Sequence, residues 1–307
     1  MKEKRVRIFL MHRRVLAVLC TLAVAAGIFY VTLYPASRAA AATQRQLPIY
    51  SVERRDKLCS ISFDAAWGNE DTQHLIDILA KYNIKTTFFV VGDWVDKYPE
   101  SVKALHDAGH EVMSHSTHHD HYNSLTSSQI VEDIRTSCDK IEAVTGCCPT
   151  LIRCPYGEYD DHVISAVRSL GMEPIQWDVD SLDWKDYDAD TIYQRVTSKV
   201  QPGSIVLFHN AALHTPEALP RILEYLINNG YTVVPISQLI LTGNYTIDHT
   251  GRQFPAETAA DNAKETAPAV SFCLRCCLPE CYTVEKELCS HERHESAYRL
   301  LSPSRPV

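Results

Sequence analysis

His115 and His119 close a strand-like run, with Ser116 between them. With His118 and His121 they put four histidines between Glu111 and His121. Two imidazoles four residues apart meet one divalent cation when a helical turn or a tight loop brings them together. Taken alone, the stretch describes a histidine-rich surface loop equally well. Its weight comes from Asp64, Arg153, Asp183 and His209, which fall at or just past the ends of other strand-like runs. Polar residues that end separate parallel strands gather at one face of a barrel, where acid–base and metal chemistry is done.

The elements that must position these residues begin at Lys57. Short β-rich runs are predicted at Leu58–Asp64, Lys85–Val91, Glu111–Ser116, Thr150–Pro155, Glu173–Val179, Ser204–Asn210 and Tyr231–Ile236. Amphipathic helices are predicted near Glu70–Tyr82, Pro99–Ala108, Ser127–Val144, Asp160–Leu170, Asp190–Val200 and Pro216–Asn229. Gly109, Gly146, Gly171 and Gly230 follow four of them, as C-terminal caps do. Strand–helix alternation of this kind implies a largely parallel sheet. Seven strands can close into a barrel or form an open doubly wound sheet, and periodicity does not choose between them.

The ends of the chain differ from its middle. Lys2, Lys4, Arg5, Arg7, Arg13 and Arg14 stand against Glu3 in the first fourteen residues, a net of +5. An uncharged run from Val15 to Tyr34 follows, long enough to span a bilayer, with the positive flank inside. It predicts a single-pass membrane anchor over 15–34 after a cytoplasmic segment 1–14. The alternative is a cleaved signal peptide with sites in Ala39–Ala42 and a secreted product. Either way the domain is exported. Residues 35–56 are expected to be a linker, 57–242 the folded domain and 243–307 a flexible tail. That tail holds Cys273, Cys276, Cys277, Cys281 and Cys289, followed by His291 and His294. Its C-x-x-C step has no matching second half, so a disordered or disulfide-tied segment is expected rather than a zinc knuckle. The chain carries −8 in all, which leaves −13 outside the first fourteen residues and argues against nucleic acid as a partner.

Five ordered segments together resemble the polysaccharide deacetylase family, also called the NodB-homology or carbohydrate esterase family 4 domain. They are Ser62–Gly68, His115–His119, Arg153–Gly157, Asp180–Trp184 and Val206–His209. The runs at 64–71 and 175–184 are similar to its sporulation-associated, PdaB-like branch. The resemblance covers about residues 57–240 and implies a distorted seven-stranded (β/α) barrel by analogy. It implies Asp64 as catalytic base, Arg153 as the residue that holds it ionised, and His115 and His119 as ligands of a divalent metal, zinc above all. It further implies Asp183 and His209 as the pair in which a protonated His serves the departing amine. Trp184 and Leu207 match the pocket for the acetyl methyl, and the Tyr156 N–H matches the oxyanion donor. His118 and His121 match nothing in the family and are expected to face solvent.

One departure stands out. Most members of the family carry a second Asp directly after the base as third metal ligand, and this chain has Ala65. Catalytic zinc usually has three protein ligands. The expected activity is hydrolysis of a carbon–nitrogen, non-peptide bond: N-deacetylation of an amino sugar in a cell-wall glycan, most simply peptidoglycan. The alternative is a weak or inactive glycan-binding envelope protein on the same scaffold.

Overall fold

The computed structural model describes Val15, residues 18–30 and residues 45–256. Residues 18–30 are helical, while 16, 17 and 31–34 of the expected anchor lie outside the described residues, as does the Cys273–Cys289 cluster. Among the described residues no helix is long and apolar enough to cross a membrane.

The strands, in chain order, are β1 Ser51–Val52, β2 Leu58–Ala65, β3 Thr87–Val90, β4 Glu111–Ser114, β5 Leu151–Ile152, β6 Glu173–Pro174, β7 Val179–Asp180, β8 Ile205–His209, β9 Thr232–Val233, β10 Tyr245–Ile247 and β11 Arg252–Pro255. Seven of them line up as β6-β5-β4-β3-β2-β8-β7, with β9 against the start of β2. Every pair in this sheet is parallel. The two edge strands are consecutive in the chain, separated by Ile175, Gln176, Trp177 and Asp178. Five residue steps reach at most about 18 Å. Six flat interstrand intervals would need about 29 Å. The sheet must therefore curl, and a curled parallel half-barrel replaces the open alternative.

β2 shows how its sequence serves both faces. Cys59, Ile61, Phe63 and Ala65 belong to the apolar cluster shared with the surrounding helices. The alternate residues Ser60, Ser62 and Asp64 are buried and polar, and line the other face. Phe63 stacks on Phe88 at 4.8 Å and on Phe208 at 5.5 Å. These are its register partners on β3 and β8, so an aromatic row fixes three strands in alignment.

Several expectations need correction. The run Glu173–Val179 is two strands, because the Gln176 N–H donates to Ile49 O at 2.7 Å and leaves the ladder. A helix, Gly92–Lys97, occupies a stretch expected to be loop and stops where Pro99 begins the next one. Part of the expected linker and tail is ordered. β1 pairs with β11 in parallel and β10 with β11 antiparallel, forming a three-stranded sheet from 51–52 and 245–255. Ile49, Val52 and Gln253 are fully buried.

Gly203 ties that sheet to the barrel. It sits at φ +83°, and its carbonyl accepts the Val52 N–H at 2.9 Å. A Cβ there would lie 1.7 Å from Val52 O. Gly203→Ala is therefore expected to cost more than about 1 kcal/mol, read as a lower urea midpoint. An unchanged midpoint would mean that the β1 contact adds nothing to stability.

Candidate active site

All the polar residues singled out in the sequence sit at or just past the C-terminal ends of the curled strands. Asp64 projects from β2 on the same face as Ser62. Arg153 follows β5 by one residue and is fully buried. Its NH1 donates to Asp64 Oδ1 at 2.7 Å, and its NH2 to Ser62 Oγ at 2.9 Å and Gln176 O at 3.2 Å. Its guanidinium carbon lies 4.3 Å from the Phe89 ring centroid and 5.5 Å from that of Trp177. Burial pushes the Asp64 carboxyl up, but the charge and hydrogen bond of Arg153, with the charge of His209, outweigh it and hold the group below the ordinary carboxylate range.

His115 follows β4 directly. Its Nδ1–H donates to the Arg153 carbonyl at 2.7 Å, since a carbonyl can only accept. In the neutral ring Nε2 is then bare, and it faces Asp64 Oδ2 at 3.6 Å. Ser116 and His119 adopt left-handed φ values of 73° and 59°. Ser116 Oγ accepts the His119 N–H at 2.9 Å. The chain thus doubles back, and the rings of His115 and His119 meet with centroids 4.9 Å apart. Thr117 anchors the loop, its N–H donating to Asp133 Oδ2 at 2.9 Å. Burial lowers the His115 pKa. Burial, with the neighbouring His115, brings that of His119 to about 4. Both imidazoles are neutral at pH 7, the form in which they bind metals.

The second cluster is Asp183 with His209. Asp183 is fully buried three residues past β7, after Leu182 at φ 52°. Its carboxylate accepts the His209 Nδ1–H at 2.7 Å, the His209 N–H at 2.9 Å, the Thr215 hydroxyl at 2.7 Å and the Trp184 N–H at 3.0 Å. Burial pulls the His209 pKa down, but the hydrogen bond and charge of Asp183 more than reverse it. In the β2–β8 register Asp64 is opposite His209, so the two clusters adjoin.

The rim is aromatic. Tyr156 has φ 59°, as a tight turn between Pro155 and Gly157 requires. Its ring touches His119 edge-on at 4.5 Å. Trp184 is half exposed beside Asp183, and Leu207 is buried on the His209 face of β8. His118 is exposed and pairs with Asp93 at 3.0 Å, as expected for a solvent-facing residue. His121 pairs with Glu158 at 3.0 Å, but its ring also stacks on Tyr156 at 4.0 Å. Sequence reasoning assigned no role to Ser62, Gln176, Thr215, Asn210 or Trp67, which brace the two clusters. Only Ser62, two residues before Asp64 in a strand, carried a usable signal.

The bare His115 Nε2 faces Asp64 Oδ2 at 3.6 Å, and since both are acceptors the imidazole nitrogen is left available as a metal donor. His119 supplies a second neutral imidazole. The place of a third donor is taken by Ala65, 1% exposed in the apolar cluster. Among the described residues no group of three His, Cys, Asp or Glu side chains could hold an ion. The donors fit a cation gripped by two imidazoles and stop one short of the usual set.

The polysaccharide deacetylase profile matches residues 51–175. A crystal structure of a CE4 family pseudoenzyme from Bacillus anthracis is 35% identical, with TM-score 0.61, over 62% of this chain and 68% of that one. The chain belongs to the polysaccharide deacetylase family. The structure of peptidoglycan deacetylase PdaC from Bacillus subtilis is 34% identical, with TM-score 0.56, over 61% of this chain and 92% of that one. Full-length PdaC is described as a peptidoglycan-N-acetylmuramic acid deacetylase, and the match covers 62% of this chain but 40% of PdaC. PgdA of Listeria monocytogenes, a peptidoglycan-N-acetylglucosamine deacetylase, is 31% identical over 63% of this chain and 41% of its own length. The chain thus spans about two fifths of these two relatives.

Proposed function

We propose that this protein removes the acetyl group from an N-acetylated amino sugar of an envelope glycan, peptidoglycan by the printed activities of its relatives. The observation that carries this is the ionised Asp64 beside a His209 held ready to be protonated. A base and an acid on neighbouring strands are what amide hydrolysis needs and simple binding does not. A divalent cation on His115 and His119, zinc by the family resemblance, would supply Lewis-acid polarisation there. Asp64 accepts the proton of the attacking water, and Arg153 keeps it ionised and aimed. The Tyr156 N–H donates to the oxyanion as the carbonyl becomes tetrahedral. His209 gives its Nε2 proton to the sugar nitrogen as the C–N bond breaks, and Asp183 stabilises the imidazolium until then. Leu207 and Trp184 enclose the acetyl methyl. Acetate release from purified peptidoglycan, with and without chelator, tests the proposal. No release above a heat-killed control would end it.

The finer assignments follow from the same reading. The basic segment 1–14 and apolar run 15–34 support a domain held outside the cell membrane as a single-pass protein, or secreted if the segment is cleaved. The runs at 64–71 and 175–184 favour a role in sporulation.

Ala65 supports a second reading, a scaffold that binds glycan without turning it over. Ala65→Asp separates the two. Position 65 ends β2, so a carboxylate there that turns from the apolar cluster to the two imidazoles is expected to raise zinc affinity at least about tenfold, whereas one left in the cluster is expected to lower the urea midpoint instead. Calorimetric titration reads this. Acetate release that is near background in the native protein and large in the variant would favour the silent scaffold. Comparable release by both would favour the enzyme.

A further inference from the structure

Trp67 follows the catalytic strand by two residues and is 49% exposed. Its indole lies nearly parallel to the His209 imidazole, 11° between planes and 6.0 Å between centroids. A flat side chain with one face covered and about half its area exposed offers its other face to solvent. The covered face borders His209, the group assigned to the sugar nitrogen, so the open face lies one ring's thickness beyond it. Nothing in the acid–base chemistry uses that open face.

The loop that carries Trp67 is not free to choose this pose. Asn210, 2% exposed and next to His209, spends its whole amide on it. Asn210 Oδ1 accepts the Ala66 N–H at 3.3 Å, while Nδ2 donates to Trp67 O at 3.4 Å and to Gly68 O. Its own N–H donates to Asp64 O at 3.0 Å. The next residue, Ala211 at φ 55°, donates its N–H to Asp71 Oδ2 at 3.0 Å. Trp94 Nε1–H also donates to Gly68 O at 2.9 Å. A buried side chain on the acid's loop thus fixes the base's loop at three successive residues.

We propose that Trp67 is a substrate-stacking residue, its open indole face receiving the C–H face of a pyranose ring of the glycan, and that Asn210 is the positioning residue that holds it over His209. This rests on the deacetylase reading and adds to it the residue that seats the sugar. Indole and pyranose suit each other because one side of a β-linked pyranose presents axial C–H groups to an electron-rich face.

The test uses the full chain and a β-1,4-linked N-acetylglucosamine hexamer. In acetate release, Trp67→Ala is expected to raise KM about tenfold, a loss that falls on KM more than on kcat, with Trp67→Phe in between. Asn210→Asp keeps an acceptor for Ala66 but loses both amide donations. It is expected to raise KM in the same way and to add little to Trp67→Ala in the double variant. Binding of the hexamer in an Asp64→Asn background, which does not turn over, should weaken by the same factor. Equal binding with and without Trp67, or no binding by the Asp64→Asn parent, overturns the proposal. So do substitutions that lower only thermal stability and leave KM unchanged. Weakened binding together with no acetate release by the native protein would keep the stacking residue and discard the deacetylase reading.

Discussion

His209→Ala should lower acetate release by about 100- to 10,000-fold, the range for removing a positioned general acid, while the protein still folds. Folding survives because Asp183 loses only one of its partners. The His209 N–H, the Trp184 N–H and the Thr215 hydroxyl still satisfy its buried carboxylate. Circular dichroism and the urea midpoint check the fold, and acetate assay the rate. Unchanged release would remove His209 from the chemistry. Asp183→Asn sharpens the test. The raised pKa of His209 keeps the ring protonated through a wider range, and the rate should fall as pH climbs past it. Without the carboxylate charge, burial is left to pull that pKa down. The alkaline limb of the pH–rate profile should then move to lower pH. A limb that stays in place would mean that some other group delivers the proton.

The parts legible in the sequence were those written into local pattern. β2 announces itself by alternation, with Ser60, Ser62 and Asp64 on one face and Ile61, Phe63 and Ala65 on the other. The helix Ser127–Thr145 carries a Thr126–Gln129 capping box and ends at Gly146 with φ 72°. The site residues were found because each ends or follows a strand. What the sequence hid depends on distant partners. Ser51 and Val52 become a strand only because Arg252 and Gln253 lie alongside, two hundred residues on. Gln176 leaves its strand for a carbonyl at Ile49 that no local window contains. Trp67 looked like one more motif letter. Its orientation is set by Asn210, more than 140 residues away in the chain. The curl of the sheet came from counting: four residues cannot join the edges of a flat seven-stranded sheet.

Ala65 and Asn210 point to a division of labour at the mouth. The proton-handling groups are each braced by several bonds to neighbouring loops. The metal side, by contrast, rests on two imidazoles of one loop. Asp64 reaches across that gap, since its Oδ1 binds Arg153 and its Oδ2 faces His115. An ionised Asp64 is therefore common to both halves, and Arg153 is what keeps it so.

Replacing Arg153 with methionine should then destabilise the protein by about 3–5 kcal/mol at pH 7, the cost of stranding one member of a buried ion pair. The effect should depend on pH in a direction that the shifts fix. In the native protein the Asp64 pKa is lowered, so its contribution is present at neutral pH and is lost as pH falls through the folded value. Without Arg153, burial dominates and raises that pKa above the unfolded value. The ionised form then weighs against folding at neutral pH, and the penalty fades as acid protonates it. The gap between native and variant should be widest near pH 7 and narrow toward pH 4 in urea titrations. Asp64→Asn in the same chain should restore part of the loss, because it removes the stranded charge, so the double variant should be more stable than Arg153→Met alone. Two substitutions that simply add, with a gap that does not change with pH, would show that the 2.7 Å contact between Arg153 and Asp64 carries no coupling energy. The assignment of Arg153 as the keeper of the base would fall with it.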